Sequence, residues 1–167
     1  FITGPLNHVS SVTYRDALIA AVARLGLPPV RLVEGNNKTD GGEACARALL
    51  ANGTAPTAIL CGNDLAALGA IRALAEAGLR VPDDVSVIGA DDIAFARYGA
   101  PSLTTIRVPR DRLGRLAFEA LDRMIRTKRR LPVEASLETH LVVRESTGQA
   151  PRPARTLEVG AGRQRGA

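Results

Sequence analysis

Aromatic residues are scarce in this 167-residue chain: tryptophan is absent, and three phenylalanines and two tyrosines make up 3% of the sequence. A core must therefore be built from small and aliphatic side chains, and alanine is plentiful. Cys45 and Cys61 stand sixteen apart with no CxxC and no neighbouring histidine, which argues against zinc. Both fall on expected buried faces and read as reduced packing thiols, consistent with a cytoplasmic setting. His8 and His140 are too distant in sequence to form a local metal motif. GxGxxG, GxxxxGK[ST] and GxSxG are all missing, which leaves dinucleotide, P-loop phosphate and nucleophile-elbow chemistry unsupported. No cofactor is expected. No stretch approaches the roughly 18 consecutive apolar residues of a membrane span, so no membrane partner is expected either.

The net charge of +5 is ordinary in size, and much of it is local. Arg152, Arg155, Arg163 and Arg165 against Glu158 give +3 in the last eighteen residues, leaving +2 for the rest. Residues 149–167 therefore read as a disordered basic tail, rich in Pro and Gly and without apolar periodicity. Residues 1–148 read as one domain, long enough to bury a core unaided.

Within that domain short apolar runs alternate with helical patterns. Strands are expected at 1–3, 30–33, 58–61, 85–88, 103–108 and 139–143, and helices over 11–25, 40–50, 64–77 and 113–126. Asp40 and Glu43 have capping-box spacing, and Asn63 stands where it would cap the third helix. The alternation predicts an α/β fold, an open parallel sheet with helices on both faces, because parallel neighbours require a crossover.

In open parallel sheets ligands bind beyond the carboxyl ends of the strands. The loops there are polar: Gly4 through Asn7, Ser10 and Ser11 to Arg15, then Asn36, Asn37 and Lys38, then Asn63 and Asp64, then Asp91 and Asp92. A guanidinium, amides and a carboxylate on one rim supply the donors and acceptors that a polyol or nucleobase needs. Each has a plainer alternative. Asn63 and one of Asp91 or Asp92 can serve as helix caps, and Arg15 can pair with Asp16. An Asp91–Asp92 pair can also hold Mg²⁺, although no lysine-bearing strand end accompanies it. The recurrence of polar groups at the same end of successive strands favours the binding reading.

Several strings in order carry a resemblance: Gly4-Pro5-Leu6, Arg15, Pro56-Thr57-Ala58-Ile59, and Asn63-Asp64-Leu65-Ala66-Ala67-Leu68-Gly69. They continue with Gly78-Leu79-Arg80-Val81-Pro82, Asp84-Val85-Ser86-Val87-Ile88-Gly89-Ala90-Asp91-Asp92, Pro101-Ser102-Leu103-Thr104-Thr105-Ile106 and Leu141-Val142-Val143-Arg144-Glu145-Ser146-Thr147. From Phe1 to about Gly148 the chain resembles the effector-sensing domain of the lactose-repressor (LacI/GalR) family. The resemblance implies a periplasmic-binding-protein-like sensor, mostly its second lobe, that takes a small-molecule effector, a sugar or a nucleoside, and is not an enzyme. Operator DNA would be read only through an N-terminal domain missing from this chain. The alternative is a solute-binding protein of a transport system.

Carried over by position, the resemblance places effector contacts at Arg15, Asn63 and Asp91, with Ser11 a further candidate. Asn37 stands where relatives often carry a stacking aromatic ring. It also implies a homodimer formed through the 64–77 helix, with Leu68 and Arg72 near the twofold axis. The helix over 113–126 would belong to the first lobe and would leave Leu116, Leu121 and Ile125 partly exposed here.

Overall fold

The structure, a computed structural model, describes residues 1–51, 53–129 and 134–150. Apart from its first two residues, the expected tail lies outside them. The elements in chain order are β1 (Ile2–Thr3), α1 (Val9–Arg24), β2 (Val33–Glu34), α2 (Thr39–Leu50), β3 (Ala58–Leu60), α3 (Asp64–Glu76), β4 (Ser86–Asp91), β5 (Thr104–Arg107), α4 (Arg110–Thr127) and β6 (His140–Val142). A short 3-10 turn, Ala94–Arg97, follows β4.

β1 pairs with β2 in parallel, and β3, β4 and β5 form a parallel ladder. A parallel bridge from Ile2 to Cys61 joins the two groups. β6 runs antiparallel against β5, a departure from the all-parallel expectation. Apolar periodicity marks a strand but does not encode its direction, which is set by where the preceding helix releases the chain.

One sheet face carries Ile59, Val87, Gly89 and Thr105, and α2 and α3 pack over it. Ala66, Ala67, Ala70, Ala73 and Leu74 on α3 meet Cys45, Ala46 and Leu49 of α2 in the buried core. The helices approach closely because Gly42 lies against the Ala66 backbone and Gly69 against the Thr39 carbonyl, with no room for a side chain at either. The scarcity of aromatics is matched by this interface of alanines and glycines.

The opposite face is covered only in part. Tyr14, Ala17 and Leu18 of α1 stand across a cleft of about 360 Å³ from Leu60, Ala90 and Ile106. α4 buries none of its residues: Leu113, Leu121 and Ile125 are exposed and Phe118 is 70% exposed. The helix forms from local periodicity, but its apolar stripe is unpartnered within the described residues. α1 thus covers the second face in part, and α4 stands with Leu121 and Ile125 exposed, as the resemblance implied.

Local signals held unevenly. Asn63 caps α3, its Oδ1 accepting from the Ala66 N–H at 2.9 Å. The capping box expected at Asp40 and Glu43 is absent: Lys38 is the N-cap residue and makes no side-chain cap bond. Asp40 instead accepts from its neighbour Gly41 N–H at 2.8 Å and from Asn36 Nδ2 at 3.3 Å. Both cysteines are buried free thiols, and burial pushes the Cys61 thiol up to about 12.

Candidate functional site

The carboxyl ends of β1 to β4 converge on a depression of about 180 Å³. Gly4 follows β1, Ser11 lies on the opening turns of α1, Asn37 follows β2, Asn63 follows β3 and Asp91 ends β4. All five line the depression, with Ser10, Tyr14, Phe1 and Gly62. The structure thus brings Ser11, Asn37, Asn63 and Asp91 together.

Arg15 is not among the lining residues. Its Nε donates to Asp16 Oδ1 at 2.8 Å. It follows Ser11 by one helical turn, so it stands on the same side of α1. Tyr14 was missed by sequence reasoning. The signal was its spacing of three from Ser11 in the first turns of a helix that opens at a strand end. With Phe1, Tyr14 adds an aromatic residue to the lining, where Asn37 supplies none.

Asn63 is tied to the backbone on both sides. Asn63 Nδ2 donates to the Asn37 carbonyl at 2.8 Å, while its oxygen caps α3. Asn37 has φ +62, a left-handed conformation that asparagine tolerates better than most residues. Its side-chain amide and Ser11 Oγ fill the space where a β-carbon on Gly4 would stand, so this glycine is required by close approach.

Replacing Asn63 with alanine is therefore expected to cost about 1–2 kcal/mol of stability by loss of the cap, whatever its part in binding. Urea unfolding of the variant measures it. A midpoint equal to wild type would show that the cap bond contributes nothing.

Asp91 differs from its neighbours. Its side chain is half-buried and accepts no hydrogen bond among the described residues. Burial, and then the negative charge of Asp64, raise its carboxyl above the ordinary aspartate range, while Arg110 pulls the other way. Asp92 faces elsewhere: its carboxylate accepts from Arg107 Nε at 2.6 Å and Arg144 Nη2 at 2.5 Å. Neither aspartate caps a helix, since Ile93 precedes the 3-10 turn. The two carboxylates do not form a joint cation site, and no group of three or more potential metal ligands occurs among the described residues.

Leu68 and Arg72 lie on α3 away from the depression. Leu68 is partly buried against the core and touches the space beside Gly99, whereas Arg72 is exposed and pairs with Glu76 at 3.1 Å. No described helix is long and apolar enough to cross a membrane.

Comparison with known proteins agrees with this fold. Residues 1–147 match the model of the periplasmic binding protein-like domain. The HTH-type transcriptional repressor PurR of Escherichia fergusonii is 38% identical over 152 residues, covering 90% of this chain and 45% of the repressor. The same repressor from Edwardsiella ictaluri matches equally well. Among solved structures, a transcriptional regulator CelR–cellobiose complex superposes with a TM-score of 0.82 at 34% identity, covering 87% of this chain and 45% of that one. A dimeric Lac repressor with a C-terminal deletion gives 0.83 at 33% identity, covering 90% and 55%. The chain spans about half the length of the curated relatives it matches.

Proposed function

Since the chain belongs to the periplasmic binding protein-like family, in the branch of LacI/GalR regulator sensors, we propose that it binds a small, hydroxyl-rich effector, a sugar or nucleoside, in the depression at the strand ends and serves as the sensing half of a DNA-binding transcriptional regulator. The observation that carries the reading is the Asp91 carboxylate, which accepts no hydrogen bond among the described residues and lines one depression with Ser11, Asn37, Asn63, Tyr14 and Phe1.

A carboxylate accepts from two neighbouring hydroxyls, and an amide donates or accepts as needed. An aromatic ring offers an apolar face to a sugar or base. The depression is shallow and open, as expected of one wall of a cleft whose other wall is a second lobe. Closure of two lobes on an effector is the means by which such a domain changes the placement of attached DNA readers. The relatives are repressors, which favours this reading over transport.

In this reading operator DNA is contacted by a separate reader and not by this chain, and the protein works in the cytoplasm as a homodimer. α3 presents Leu68 and Arg72 toward the partner, with the exposed Leu65 one turn away.

Asp91→Asn is the sharpest test, because it keeps shape and removes charge. Calorimetric titration of the intact protein with a panel including cellobiose, ribose and adenosine should find a ligand whose affinity falls about ten- to a hundredfold in the variant, while its thermal transition is unchanged. Because the Asp91 carboxyl titrates above the ordinary range, wild-type affinity should also fall as acid protonates it, and Asp91→Asn should flatten that dependence. Equal affinities in Asp91→Asn and wild type would place the site elsewhere.

A further inference from the structure

Asp64 is a fully buried carboxylate that takes no part in lining the depression. It opens α3, where an acid ordinarily faces the helix amides, but its carboxylate is turned to the sheet. Oδ2 accepts the Ile93 N–H at 2.8 Å, and Oδ1 accepts Thr105 Oγ1 at 2.5 Å. The same threonine oxygen accepts the Asp92 N–H at 3.3 Å. The two main-chain amides that follow Asp91 thus both end on Asp64, one directly and one through Thr105.

The seat of this carboxylate is specific. A β-carbon on Gly89 would occupy the place of Asp64 Oδ1, so the strand next to it must carry glycine there. The turn it holds is unusual: Asp92 has φ +52, a left-handed conformation that aspartate tolerates, but Asp91 has φ +113, outside that region and uncommon for a residue with a side chain. Arg107 and Arg144 grip Asp92 from the other side. Burying a carboxylate is costly, and simple packing at this position would be served better by an apolar residue.

We propose that Asp64 is a positioning residue for the effector site: by terminating the Asp92 and Ile93 amides it fixes the left-handed turn that presents the Asp91 carboxylate to the depression. Its functional meaning rests on the proposed role of Asp91, while its geometry does not.

Hydrogen exchange followed by NMR on the full chain tests the geometry without any ligand. Thr105→Val removes the hydroxyl and keeps the shape; Thr105→Ser keeps the hydroxyl. Exchange of the Asp92 amide should accelerate about tenfold or more in Thr105→Val and return to the wild-type rate in Thr105→Ser. Asp64→Asn, which offers one acceptor oxygen in place of two, should accelerate Asp92 or Ile93 similarly. The Ala67 and Ala70 amides in α3 should be unchanged, separating a local effect from general loosening. Titration with cellobiose and adenosine, beside Asp91→Asn, reads the binding consequence: an affinity lost in Thr105→Val and recovered in Thr105→Ser. Unchanged exchange at both 92 and 93 in Thr105→Val and Asp64→Asn, or a serine that does not restore it, overturns the proposal. If exchange responds as expected while Asp91→Asn leaves affinity intact, the positioning of the turn stands and the binding role of Asp91 is what fails.

Discussion

Gly69→Val is expected to lower stability by about 3 kcal/mol or more, and so the thermal midpoint by roughly 6–12 °C, the range for a chain of this size. A β-carbon at Gly69 would coincide with the Thr39 carbonyl oxygen and crowd the Glu43 N–H, both backbone atoms that cannot rotate away. α2 and α3 would have to separate, and their contact is the centre of the core. Gly42→Val meets the Ala66 backbone in the same interface and should behave alike.

Gly114 provides the contrast. It lies in α4 with open space around it, so Gly114→Ala should stabilise that helix by up to about 1 kcal/mol, the propensity difference alone. Differential scanning calorimetry of the three variants decides the matter. A Gly69→Val midpoint within about one degree of wild type would mean that α2 and α3 are not packed as described.

Asp92→Ala should cost about 3–5 kcal/mol, because it strands a buried positive charge. The Asp92 side chain is 4% exposed and that of its partner Arg144 13% exposed. Arg144 also donates to the Leu103 carbonyl at 2.7 Å, so it cannot swing into solvent without breaking a second bond. Burial by itself would raise the Asp92 carboxyl, but hydrogen bonds from Arg144 and Arg107 outweigh it and hold the group below the ordinary range. A folded-state value below the unfolded one, near 3.9, contributes stability that is complete above that unfolded value and is lost as pH falls through the folded one.

Urea unfolding between pH 7 and pH 2.5 should therefore show a loss on acidification that is smaller in Asp92→Asn than in wild type. Parallel acid profiles in the two proteins would sink this account. The arginine pair holds Asp92, the residue next to Asp91 in the turn.

Much of the fold was legible because it is local. The i, i+3, i+4 spacing of apolar residues marks α1 to α4 within a few residues of their ends, and Asn63 before a run of alanines marks a cap that forms from neighbouring atoms alone. Five strands read within a few residues for the same reason, whereas the one expected at 30–33 forms at Val33–Glu34, and the recurring polar loops pointed to one rim. Ser11, Asn37, Asn63 and Asp91 meet there because a parallel sheet places every strand's carboxyl end on the same side.

What local pattern could not supply was direction, partnership and competition. The pairing of β6 against β5 depends on where α4 releases the chain. Asp40 had the spacing of a capping box, but neighbouring donors at Gly41 and Asn36 took its carboxylate. Arg15 was placed near the site by its position on α1, and only the structure shows that its guanidinium pairs with the adjacent Asp16. Asp91 and Asp92 are identical in sequence terms and differ in surroundings, since Arg107 and Arg144, fifteen and fifty-two residues beyond Asp92, bond to its carboxylate and not to that of Asp91. Sequence by itself determined the elements, their order and the rim on which polar groups gather, because these follow from spacing along the chain. Only the tertiary structure decided which of those groups are already satisfied, because hydrogen-bond partners are chosen by distance in space.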